Sequence, residues 1–66
     1  MEIILTYHAK QRMAQHAITT DQIKRAIKQG SKINQTDGLL AKFGYLEVAY
    51  KIRNESYIIK TVKVIH

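Results

Sequence analysis

The hydrophobic pattern changes period at Gly30, and that change limits the folds open to this chain. Before it, Ile23, Ala26 and Ile27 recur at i, i+3 and i+4, the spacing of one buried helix face. After it, Leu46, Val48, Tyr50 and Ile52 alternate with Tyr45, Glu47, Ala49, Lys51 and Arg53, the period of a strand with two different faces. Helices followed by a run of strands predict an α+β fold, with the helices on one side of an antiparallel sheet.

Local signals refine this reading. Glu2 to Thr6 reads as a short strand, and its three consecutive aliphatics predict burial on both sides or a strand end tucked under a helix. Thr6 is placed to cap a first helix over Tyr7 to His16, which holds no proline or glycine. Ala17-Ile18 connects to a second helix. Thr19 and Gln22 have capping-box spacing there, and Ile18 can staple onto Ile23. Lys24, Arg25 and Lys28 fall on the solvated side. Gly30 is expected to end the helix in the left-handed conformation.

The strands follow. Ser31 to Thr36 pairs with Leu39 to Phe43 through an expected Asp37-Gly38 turn, and Gly44 marks a bulge or a break. Asn54-Glu55 turns the strand from Tyr45 to Arg53 into the last strand, Ser56 to Ile65. Regular pairing sets Ile52 opposite Tyr57, Tyr50 opposite Ile59 and Val48 opposite Thr61. The other face then carries Ile58, Val62 and Val64 beside Lys51, Arg53 and Lys60. It either docks a partner or packs against the N-terminal strand or a loop. The expectation is one domain over residues 1–66: a short N-terminal strand, two helices, then a three- to four-stranded antiparallel sheet.

A chain of 66 residues buries only about 60% of its unfolded surface. It has no cysteine, so neither a disulfide nor a thiolate metal site reinforces the core. A partner or a homodimer is the expected supplement. The start, Met1-Glu2-Ile3-Ile4-Leu5, is too short an apolar run for a signal peptide or a membrane span, and the cytoplasm is the expected compartment. Eleven Lys and Arg against five Asp and Glu give +6, which favours a polyanion or an acidic protein as partner. The plainer alternative is a basic surface that serves solubility. The basic residues are dispersed, which argues against membrane-surface binding.

The candidate chemistry lies first on the first helix. His8, Arg12 and His16 are four apart and share one face. An imidazole can move a proton near neutral pH, and a guanidinium grips phosphate, a pairing suited to RNA cleavage. The alternative is that His8 is packed structurally and Arg12 clamps the helix to the sheet or to a carboxylate. A metal site is not expected. His8 and His16 are two turns apart, no His, Asp or Glu cluster accompanies them, and no cofactor motif is present. On the strands, Lys42, Tyr45, Lys51, Arg53 and Lys60 mix aromatic and basic groups, as single-stranded nucleic-acid sites do. Tyr50 and Tyr57 belong to the expected core face, which leaves Tyr45 as the exposed ring.

His8-Ala9-Lys10-Gln11-Arg12-Met13 resembles the His-Ala-x-x-Arg-Met signature of a family of small bacterial and archaeal domains of unknown function. Ile18-Thr19-Thr20-Asp21-Gln22-Ile23 is similar to the phrase that opens that family's second helix, and Val48-Ala49-Tyr50 and Lys60-Thr61-Val62 resemble its strands. The family looks related to RelE/ParE-like toxins, including the BrnT group. The resemblance implies a helix–helix–antiparallel-sheet fold, a ribosome-dependent or free ribonuclease activity, and an antitoxin that binds the domain. Only His8, Ala9, Arg12 and Met13 match the signature itself. Arg53, Lys60 and His66 are site candidates by residue type alone. ParE-like members act on DNA gyrase, so fold does not choose the target.

The function expected is thus a toxin-like component of a toxin–antitoxin system, working as a metal-independent RNA endonuclease through His8 and Arg12. RNA or the ribosome is the target and an antitoxin the partner. The alternative is a non-enzymatic basic module that binds nucleic acid or an acidic protein. His16 is set aside, having neither a motif match nor a partner in the sequence.

Overall fold

Thr6 ties the start of the chain to its last strand. Its hydroxyl accepts the Ala9 N–H at 3.1 Å, which caps the first helix, and donates to the Ile59 carbonyl at 2.8 Å. The computed structural model in which this is seen describes residues 1–65. His66, a site candidate by type, lies outside the described residues. In chain order the elements are β1 (Glu2–Leu5), α1 (Tyr7–His16), α2 (Thr20–Gln29), β2 (Ser31–Gln35), β3 (Gly38–Phe43), β4 (Leu46–Arg53) and β5 (Ser56–Val64). The fold is α+β, as expected. The sheet order is β1-β5-β4-β3-β2. Strands β2 to β5 are antiparallel, and β1 joins β5 in parallel as a fifth, edge strand.

Both helices cover the same face of the sheet. Ala9 and Met13 of α1, Ile18 of the connection, and Ile23, Ala26 and Ile27 of α2 form one core with Ala41, Val48, Tyr50, Ile59 and Val62. The helix starts are chemically specified. The Thr19 hydroxyl accepts the Gln22 N–H at 3.2 Å while Gln22 Oε1 accepts the Thr19 N–H at 2.7 Å, a reciprocal cap.

Four local expectations change. Gly30 does end α2, but in an extended conformation (φ −76°, ψ 169°). Its missing side chain matters for space: a Cβ there would lie 2.5 Å from the Lys42 carbonyl oxygen and 2.6 Å from that of Ala26. The left-handed cap belongs instead to Ala17 (φ 53°), after α1. The β2–β3 turn is Thr36-Asp37, one residue earlier than expected, because Gln35 pairs with Gly38. Gly38 opens β3 with the positive φ of 128°, and Gly44 (φ 60°) sits in the next turn. Finally, β1 is not buried on both sides. Ile3 and Leu5 pack on the core, while Ile4 is 43% exposed.

The largest correction is a bulge in β5. Ile52 faces Tyr57 and Tyr50 faces Ile59, as expected, but Ala49 faces Thr61 and Val48 faces Val62. Lys60 is the extra residue. One added residue sends the side chains beyond it to opposite faces. Val62 is therefore fully buried and Val64 packs on the core edge. The uncovered face keeps Ile58, which neighbours Ile4 of β1, and loses both valines.

Tyr50 is 2% exposed, and its ring lies 5.9 Å from that of Tyr57. Burial raises its phenol pKa above 10.0, and the nearby Tyr57 adds to the effect. The folded chain thus holds this proton more tightly than the unfolded chain. Stability contributed below the unfolded value is lost as pH rises through the folded one. Between about pH 9 and about pH 11 the parent should lose more melting temperature than Tyr50→Phe does. Equal losses in the two proteins would show that the phenol plays no part in alkaline unfolding.

Candidate functional site

The helical spacing of His8, Arg12 and His16 sets them in a row along α1. The row begins above β5, where Thr6 is bonded to Ile59, and ends at the α1–α2 junction. His8 is exposed and Arg12 half-buried. Arg12 Nη1 donates to Gln15 Oε1 at 3.4 Å, while its Nε is buried with no partner. Neither residue makes an ion pair among the described residues.

The strand candidates do not form one cluster. Lys51 Nζ and Lys60 Nζ lie 4.0 Å and 3.7 Å from Asp37 Oδ2, and Lys60 also donates to the Asp37 carbonyl at 2.6 Å. Lys42 lies 3.5 Å from Glu47, its cross-strand neighbour. Arg53 is exposed at the β4–β5 end, and Tyr45 is 74% exposed at the other end of β4. Eight residues of strand hold those two roughly 26 Å apart.

A groove of about 360 Å³ opens at the Tyr45 end. Phe43 and Tyr45, either side of Gly44, form one rim. Gln22 and Arg25 of α2 form the other, with His16 at the junction. Ile18, Leu46 and Val64 supply its apolar wall. Phe43 is 37% exposed. The Gln22 side-chain oxygen is taken up by the cap, whereas Arg25 is exposed and borders a second depression with Asp21, Lys24 and Lys28.

The charge pattern separates the two surfaces. Among the described residues, every Lys or Arg ion pair to a carboxylate lies on the strands. The cations of α2 are offset only by Asp21 nearby. The structure thus brings His16, Arg25, Phe43 and Tyr45 together and leaves His8 and Arg12 outside the groove lining. Sequence reasoning had Tyr45, set His16 aside and left Arg25 on a solvated face. The available signal was Phe43-Gly44-Tyr45, two aromatics flanking a turn glycine. Among the described residues no group of three or more His, Asp or Glu could hold a metal ion, and no helix is long and apolar enough to cross a membrane.

Comparison with known proteins bears on the fold. The model of a family described as "Domain of unknown function (DUF4258)" matches residues 5–64. No match was found among curated proteins. Among solved structures, a chain of the RelBE2 toxin–antitoxin complex from Mycobacterium tuberculosis is similar, with a TM-score of 0.67 and 16% identity. The likeness covers 96% of this chain and 95% of that one. At that identity it establishes a shared fold.

Proposed function

The chain belongs to the DUF4258 family of domains of unknown function, and from that premise we propose that it is the toxin-like member of a toxin–antitoxin pair that cleaves RNA in the cytoplasm. The observation that carries this reading is the fold likeness to a chain of a toxin–antitoxin complex over 96% of the residues. The +6 charge and the exposed His8 beside a half-buried Arg12 support RNA as the target. In the proposed reaction a ribose 2′-hydroxyl attacks the adjacent phosphate. His8 takes its proton, the bond to the 5′-oxygen breaks, and that oxygen is protonated by water as it leaves, the His8 proton passing afterwards to solvent. The products are a cyclic phosphate and a 5′-hydroxyl. Arg12 stabilises the charge of the pentacoordinate state.

Induced expression should slow growth, and purified protein should cleave RNA, with or without ribosomes. His8→Ala should lower cleavage by about 10²-fold or more, the usual contribution of a general acid or base, with the melting temperature nearly unchanged. Protein that neither cleaves RNA nor slows growth would sink the proposal.

A second reading, a non-enzymatic basic binding module, is favoured by the separation of His8 and Arg12 from the groove. In that case His8→Ala and Arg12→Ala leave RNA binding intact, and Arg12→Ala lowers stability.

A further inference from the structure

We infer that the groove between α2 and the β3–β4 turn holds one unstacked nucleotide of single-stranded RNA, its base against Tyr45 and Phe43 and its phosphate on Arg25. This rests on the reading that RNA is the target and names where on the molecule the strand is gripped.

Three observations converge on it. The first is shape. A volume of about 360 Å³ suits a base and its sugar and is too small to seat a helix. The second is chemistry. Tyr45 and Phe43 keep 74% and 37% of their surface exposed at the groove rim, whereas Tyr50 and Tyr57 turn inward; Tyr7, the other exposed ring, lies at the far end of α1 from the groove. Exposed rings beside a guanidinium are the combination that stacks a base and neutralises its phosphate. The third is charge placement. Lys42, Lys51 and Lys60 on the strands form ion pairs with carboxylates, but Arg25 forms none among the described residues. Asp21 borders the same depression as Arg25, and Lys24 and Lys28 extend the positive charge along α2. A strand anchored in the groove therefore meets further cations along the helix.

The groove meets the α1 row at one residue. His16 lines it, and His8 lies two turns back along the same helix, roughly 12 Å away. A base held at Tyr45 would set the neighbouring backbone along His16 and Arg12 toward His8.

The test uses the full chain and a fluorescein-labelled single-stranded RNA of about ten nucleotides, read by anisotropy across a salt series. Tyr45→Ala should weaken binding by about tenfold or more. Arg25→Ala should weaken it several-fold and lower the slope of log affinity against log salt by about one. Gln35→Ala, exposed at the far end of β2 from the groove, should change neither. Amide chemical shifts on adding the RNA should move at His16, Arg25, Phe43 and Tyr45. Unchanged affinity in both groove variants, or shifts confined to the uncovered sheet face, overturns the assignment. So does an acidic peptide that competes for the groove while RNA does not. Groove binding without cleavage or growth arrest keeps this inference and removes the toxin reading. Growth arrest unaffected by both groove variants, with RNA affinity unchanged, does the reverse.

Discussion

Ile59→Ala should lower the melting temperature by about 10–30 °C, corresponding to a loss of about 2–5 kcal/mol from a truncated buried isoleucine. Ile59 is fully buried on β5, between β1 and β4. It pairs with Tyr50 across β4 and with Leu5 across β1. Its carbonyl also accepts the Thr6 hydroxyl that caps α1. A cavity here is lined by both neighbouring strands and the helix above, so no single element can move to fill it. A chain of this length has a total stability of about 3–10 kcal/mol, so the variant sits near its unfolding threshold. Ile33→Ala is the matched control. Ile33 is 46% exposed on β2, and its loss should stay within about 0.5 kcal/mol. Circular-dichroism melts of the two variants measure the difference. Similar melts would mean that the core is not centred on β5.

Gly38→Ala should cost about 2–4 kcal/mol, from backbone strain plus a steric clash. Gly38 has φ 128°, where only glycine is comfortable, and an added Cβ would run into the Tyr50 carbonyl oxygen. That oxygen belongs to the central strand and cannot retreat without disturbing the Tyr50–Ile59 pair. Gly44 is the informative contrast. Its φ is 60°, and an added Cβ would meet nothing within 4 Å. Asparagine tolerates that conformation, so Gly44→Asn should be almost neutral. Urea titrations of the two variants should separate by more than 1 M if the clash governs, given a slope of about 1–3 kcal/mol per M. Equal midpoints would show that the β2–β3 turn relaxes freely.

The helices were legible because their ends are written in adjacent residues. Thr6 with Ala9, and Thr19 with Gln22, are contacts three residues apart, so spacing alone reveals them. The sheet was legible only in part. Alternation from Leu46 to Ile52 marks β4 and its buried face. It does not reveal that β5 carries an extra residue at Lys60, because both Ile59 and Val62 are plausible core residues in isolation. The bulge is specified by the sum of contacts that bury both. Gly30 and Gly38 looked like ordinary punctuation. Each is glycine because a backbone oxygen from a different strand, Lys42 or Tyr50, passes close to it. Information of that kind is absent from any local window. The groove has the same character. His16, Arg25, Tyr45 and Val64 come from four separate stretches, and only the turn aromatics announce themselves.

The pairing of β1 with β5 also fixes when the molecule can close. Glu2 pairs with Ser56 and Leu5 with Ile59, so the first strand has no partner until most of the chain exists. In a chain growing from its N-terminus, the residues of α1, α2 and the β2–β4 meander all precede those of β5. Their apolar faces then wait for a strand that sits second in the sheet. Bringing residues more than 50 positions apart together must precede the reward of burying Ile59 and Val62. A chain ending before residue 56 lacks both the strand on which the first helix sits and the Val64 wall of the groove.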